Sequence, residues 1–137
     1  MERQVRPRRS VLYMPGSNGR ALEKAKTLAA DGLIFDLEDA VAPDAKAAAR
    51  QQVCEAVRTG GYGWRELIVR VNGLATLWGQ EDLAAVASCG ADAVLLPKVE
   101  SAALVRQTWD MLTASGASEI TQPTNRNKQI QAITRGV

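Results

Sequence analysis

Leu33-Ile34-Phe35-Asp36-Leu37, followed by Glu38-Asp39-Ala40-Val41-Ala42-Pro43 and then by Ala45, Ala49, Val53, Ala56 and Val57 at helical spacing, reads as strand, acidic loop and helix. Pro43 stands in the first turn of that helix, where a missing backbone N–H costs nothing. The same order recurs on either side. Upstream, Val11 to Met14 is a strand stopped by Pro15-Gly16, and Ser17 or Asn18 caps a helix carrying Ala21, Leu22, Ala25, Leu28 and Ala29, closed by Asp31-Gly32. Downstream, Gly60, Gly61 and Gly63 break the chain before a strand at Leu67 to Val71 and a helix around Glu81 to Ser88. Cys89-Gly90-Ala91-Asp92 then turns into a strand at Ala93 to Leu96, and Ser101 caps a helix with Leu104, Val105, Trp109 and Leu112 on one face.

Repeated β-then-α order predicts parallel strands covered by helices, because parallel neighbours need a crossover connection. The fold class is α/β, with about four βα units in a row. A (β/α) barrel takes about eight such units and roughly 250 residues, so four units are either part of a barrel or one small doubly wound sheet. After Ser115 the periodicity gives way to Thr121, Gln122, Thr124, Asn125, Asn127, Gln129 and Gln131, an irregular polar tail in which only Ile130 to Ile133 has strand character.

The 137 residues are 46% apolar and 23% charged, which fits one globular domain and not a disordered chain. The net charge of +2 owes much to Arg3, Arg6, Arg8 and Arg9, expected as a solvated arm. No basic stripe continues into the body, so nucleic acid is not an expected partner. No apolar run approaches the ~20 residues of a membrane span, and a secretory leader is missing, so no membrane association and a cytoplasmic location are expected. Cys54 and Cys89 lack metal-type spacing and read as small buried residues. Histidine is absent, which removes Ser-His-Asp, Cys-His and His-metal sites.

Function in parallel α/β folds collects in the loops leaving the carboxyl ends of the strands. Arg70 is a charge at the end of an apolar strand and requires carboxylate or phosphate partners. Strand alternation places Ile68, Arg70 and Asn72 together, leaving two uses for Arg70: a structural pair with Asp36, Glu38 and Asp39, or a clamp for a substrate carboxylate. Three carboxylates in four residues repel unless donors or a hard cation sit among them. Lys98, by parity with Val94 and Leu96, is expected at the same centre as Arg70. Neither a Gly-x-Gly-x-x-Gly strand end nor a Walker loop is present, so nucleotide hydrolysis and dinucleotide redox lose their usual signature.

Arg9 to Gly16, Asp36-Leu37-Glu38-Asp39-Ala40-Val41, Arg70-Val71-Asn72-Gly73 and Leu96-Pro97-Lys98-Val99-Glu100-Ser101 together resemble, in order and spacing, the citrate lyase β-subunit and malyl-CoA lyase group of the HpcH/HpaI aldolase superfamily. The resemblance covers residues 8–117 and leaves 118–137 as a divergent polar tail. It implies a partial TIM-type barrel and a Mg2+-dependent carbon-carbon lyase acting on the acyl-CoA-type thioester of a hydroxy acid, citryl-, malyl- or citramalyl-like, with a small oxo acid as the other partner. It implies that Arg70, Arg9, Asn72 and Lys98 bind substrate and that Asp36, Glu38 and Asp39 line the metal site without ligating the ion. The family's direct ligands, a glutamate on the fifth strand and an aspartate on the sixth, have no counterpart here, although Ile133-Thr134-Arg135-Gly136 echoes the fifth-strand motif without its glutamate. The expectation is therefore a chain cut to roughly the N-terminal half, weakly active or inactive alone, whose open edges favour homo-oligomers or other self-association. The alternative is a non-catalytic carboxylate- or CoA-binding or assembly module.

Overall fold

The computed structural model describes residues 7–115 and 129–132. The strands β1 (Val11–Pro15), β2 (Gly32–Asp36), β3 (Glu66–Arg70), β4 (Ala93–Leu96) and β5 (Gln129–Ala132) form one five-stranded parallel sheet in chain order. The helices α1 (Gly19–Lys24), α2 (Lys46–Thr59), α3 (Gly79–Cys89) and α4 (Ala102–Ala114) make the crossovers. A doubly wound sheet reverses its strand order at a switch point, whereas a barrel wall runs on in sequence. The observed order is that of a partial (β/α) barrel. Its fifth strand is the one expected at Ile130 to Ile133, starting one residue earlier, and Ile133 lies outside the described residues.

Alternation along the strands gives the wall two apolar faces. Leu33, Phe35, Leu67, Val69, Val94 and Leu96 belong to the core shared with the helices, while Ile34, Ile68, Ala93 and Leu95 cluster on the opposite face. Asn18 caps α1, its Oδ1 accepting from Ala21 N at 3.1 Å, and Ser101 caps α4, accepting from Leu104 N at 3.2 Å. Two helix faces differ from expectation. On α4 the core positions are Thr108 and Leu112, with Trp109 exposed, because Leu104, Thr108 and Leu112 follow one four-residue ridge and Trp109 stands about 100° away from it. On α2 the buried stripe is Lys46, Ala49, Val53, Cys54 and Val57, so a lysine heads a face that sequence pattern made purely apolar.

At the amino ends of the strands, carboxylates hold the chain that enters the sheet. Glu66 accepts from Arg8 Nε and Nη2, both at 2.7 Å. Asp31 accepts from the Arg9 backbone N–H at 2.8 Å and from its Nε and Nη2 at 3.1 Å. Asp92 accepts from Leu67 N at 2.9 Å. Arg8 and Arg9 thus pair with Glu66 of β3 and with Asp31 just before β2 from a solvent-exposed arm, while Arg3 and Arg6 lie outside the described residues.

Gly79 opens α3 against the loop after β3. A Cβ there would overlap the Gly73 carbonyl and come within 2.8 Å of Leu74 Cα, and backbone cannot swing aside as a side chain does. Gly90 ends the same helix with φ +95 and nothing within 4 Å of a built Cβ. Gly79→Ala is expected to cost at least about 2 kcal/mol in urea unfolding through overpacking, and Gly90→Ala about 1–2 kcal/mol through backbone strain alone. Equal costs would show that the α3 approach is slack.

Candidate functional site

Asp36 and Arg70 are the last residues of β2 and β3, and the register sets them directly opposite each other, with Pro15 of β1 beside Asp36 and Leu95 of β4 beside Arg70. Arg70 donates from Nε to Asp36 Oδ1 at 2.8 Å and from Nη2 to Oδ2 at 2.7 Å, a bidentate pair. The same two oxygens accept from Glu38 N at 2.9 Å and Ala40 N at 3.0 Å, so Asp36 also folds the acidic loop back over the strand end. The Tyr13 ring lies 5.0 Å from the guanidinium carbon and stacks against it.

Beyond this pair the charges stand apart. Arg70 Nη1 is 3.8 Å from Glu38 Oε1, and Lys98 Nζ is 3.8 Å from both Glu38 Oε2 and Asp39 Oδ1. These separations are too long for hydrogen bonds. Glu38 is buried and its Oε1 has no hydrogen-bond partner, an expensive arrangement unless something else enters the gap.

Lys98 arrives here by a route that alternation did not predict. Val94 and Leu96 face the helices, as does Val69 opposite Val94, whereas Arg70 is on the other face. Lys98 has φ +51, left-handed for a residue with a side chain, and this break in the alternation carries its ammonium to the acidic loop. Asn72 is a correction in the opposite sense. β3 ends at Arg70, and the Asn72 amide does not join it on the inner face. Its Oδ1 accepts from Lys46 Nζ at 2.8 Å, while Nδ2 donates to Leu37 O at 2.9 Å and to Asp82 Oδ2 at 2.6 Å. Arg9 precedes β1 and pairs with Asp31, at the opposite end of the strands from Arg70 and Lys98.

Four residues that sequence reasoning did not place complete the centre. Tyr13 supports Arg70. Lys46 and Asp82 are buried beneath the acidic loop, and Arg50 Nε donates to Asp82 Oδ1 at 2.7 Å. The usable signal for Lys46 was its helical spacing from Ala49, Val53 and Val57.

The residues present do not fit a magnesium ligand set. Among the described residues no three carboxylates, thiols or imidazoles converge, and Asp36 has both oxygens committed to Arg70 and backbone N–H groups. Among the buried side-chain oxygens of the described residues, Glu38 Oε1 is the one without a hydrogen bond, and a single such oxygen is not a ligand set.

Burial pushes the Asp36 carboxyl up, but the bonds from Arg70, Glu38 N–H and Ala40 N–H outweigh it, and the group lies below its ordinary value. Burial also raises Glu38, a hydrogen bond with Asp39 adds to this, the Arg70 charge opposes it, and the net direction is upward. The two act on stability with opposite signs. The Asp36 contribution is present above the ordinary aspartate range and lost as pH falls through its depressed folded value. The Glu38 contribution is present below the ordinary glutamate range and lost as pH rises through its raised folded value. Glu38→Gln, which imitates the protonated form, should match wild-type stability near about pH 4 and exceed it near about pH 7 in urea unfolding. The reverse order would place the raised group elsewhere.

Comparison with known proteins fits this geometry. The HpcH/HpaI aldolase/citrate lyase family profile matches residues 9–131. The chain is 54% identical over 112 residues to a (3S)-malyl-CoA thioesterase of Cereibacter sphaeroides, covering 82% of this chain and 39% of that protein. It is 38% identical over 128 residues to the citrate lyase subunit beta of Leuconostoc mesenteroides subsp. cremoris, covering 93% of this chain and 42% of the relative. The chain therefore spans about two fifths of the length of these relatives. A solved structure of CitE from Mycobacterium tuberculosis in complex with magnesium, acetoacetate and coenzyme A superposes with a TM-score of 0.63 at 29% identity, over 90% of this chain and 38% of the other. Profile, sequence and fold agree over the described core, and the chain belongs to the HpcH/HpaI aldolase/citrate lyase family.

Proposed function

We infer that this chain carries the carboxylate-binding part of a carbon-carbon lyase acting on the acyl-CoA-type thioester of a hydroxy acid, malyl-, citryl- or citramalyl-like, with a small oxo acid as the other partner. The observation that carries this is the Arg70 guanidinium, held by Asp36 through Nε and Nη2 while Nη1 stands 3.8 Å from the partnerless Glu38 Oε1. A guanidinium fixed in this way is pre-organised to neutralise a carboxylate or a developing enolate, and Lys98 adds a second cation at the same rim. Magnesium, bound in the mycobacterial relative, would be bordered by Asp36, Glu38 and Asp39 and would take its ligands from other residues. Arg9, paired with Asp31 at the other end of the strands, keeps by resemblance a place near the acyl-CoA, and Asn72 bonds Lys46 beneath the acidic loop. A cytoplasmic setting is in keeping with Cys54 and Cys89, which are small buried residues of the core.

A second reading, a carboxylate- or CoA-binding module without catalysis, is favoured by one observation: the described residues supply no ligand set. The exposed Val11, Leu12 and Tyr13 on the edge strand β1 favour self-association in either case.

Arg70→Ala would strand Asp36 in the interior and cost about 3–5 kcal/mol whatever the function, so it is a poor test. Lys98→Met and the paired Asp36→Asn/Arg70→Gln variant avoid an orphaned charge. In calorimetric titration of the 137-residue chain with oxaloacetate, Lys98→Met should weaken binding about tenfold, or ~1.4 kcal/mol, with the melting temperature nearly unchanged, and the paired variant should abolish it. Unaltered affinity in both would sink the carboxylate site. The chain alone should cleave malyl-CoA weakly or not at all, and steady magnesium-dependent cleavage would overturn the account of an incomplete metal site.

A further inference from the structure

Lys46, the first residue of α2, is buried, and an ammonium taken out of water is costly. It has three N–H donors, and each is used: Leu37 O at 3.1 Å, Glu38 O at 2.8 Å and Asn72 Oδ1 at 2.8 Å. The Trp78 ring lies 5.2 Å from Nζ. All three acceptors are uncharged oxygens, so the lysine is not there as half of a simple ion pair. What the acceptors share is position: two are consecutive carbonyls of the acidic loop, and the third belongs to the residue two places after Arg70.

The consequence falls on Glu38. Its backbone N–H donates to Asp36 Oδ1 at 2.9 Å and its carbonyl accepts from Lys46, so the residue is fixed on both sides while its carboxylate keeps one oxygen unpartnered. Asn72 extends the restraint, since Nδ2 bonds Leu37 O and Asp82 Oδ2, and Asp82 is held in turn by Arg50. Neither methionine nor leucine could supply those donors, and a glutamine would be too short to serve all three acceptors.

We propose that Lys46 is a positioning residue: by clamping the Leu37 and Glu38 carbonyls to Asn72, it holds the Glu38 carboxylate at its separation from Arg70 and so sets the gap in which the oxo-acid carboxylate binds. This rests on the carboxylate-binding function inferred above, and its test includes a measurement that needs no ligand.

In Lys46→Met, carbon-detected NMR of the Glu38 carboxyl should show its titration moving down toward the ordinary glutamate value as the loop admits water, with faster exchange of the Glu38 and Ala40 amides. Lys46→Gln should fall between methionine and wild type, and it keeps the test open if methionine prevents folding. For oxaloacetate, Lys46→Met should weaken binding about tenfold in the wild-type background and less than about threefold in a Glu38→Gln background, because a residue acting through Glu38 cannot act once that carboxylate is gone. An unmoved Glu38 titration in a folded variant, equal losses in both backgrounds, or failure of both variants to fold would overturn the proposal and leave Lys46 a general support. A Glu38 shift without oxaloacetate binding in the wild type would uphold the positioning role while removing the carboxylate-binding function.

Discussion

The pairing of Asp36 with Arg70 is the constraint on which the carboxyl end of this sheet depends. It joins neighbouring strands at their last residues, and through the same carboxylate it folds the loop that follows β2. Because Asp36 accepts four hydrogen bonds, its charge is satisfied within the wall and is not offered to a ligand. Arg70 is satisfied on one edge only. Of the two uses the sequence left open for Arg70, the structure shows the structural pair, made through Nε and Nη2, while Nη1 stands 3.8 Å from Glu38 Oε1.

Two tiers lie around this pair. Above it, Glu38, Asp39 and Lys98 stand at separations that leave room between them. Below it, Lys46, Asn72, Asp82 and Arg50 form a buried polar chain with short bonds throughout. Under the proposed carboxylate-binding function, the tightly bonded lower tier would keep the spacing of the upper one when no ligand is bound.

The strands and the order of the βα units were legible because apolar runs and helical spacing are local properties; Ala93 to Leu96 matches β4 residue for residue. The barrel-type order was not legible from pattern alone, since four βα units satisfy either architecture until it is known which strands are neighbours. Within the site, Arg70 and the acidic loop were legible as charges embedded in apolar sequence. Lys98 was placed correctly for the wrong reason, because alternation cannot foresee a left-handed φ. Asn72 was misplaced because alternation was carried two residues past the end of β3, and Trp109 because the apolar face of α4 was drawn through Val105 and Trp109, beside the Leu104-Thr108-Leu112 ridge that is buried. Lys46 was missed because a lysine at a helix start reads as solvent-facing; its spacing from Ala49, Val53 and Val57 put it on the buried stripe, and its three oxygen partners explain how it can stay there.

The chain-order sheet also shapes how the protein is made. Each strand pairs with the strand before it, so every new βα unit emerging from the ribosome finds its template already present, and no strand waits for a distant partner. The Arg8 clasp is the exception. Arg9 can pair with Asp31 once the second strand is made, but the acceptor of Arg8, Glu66, lies 58 residues further on, so this bond waits for the third strand and ties the amino-terminal arm to it only then.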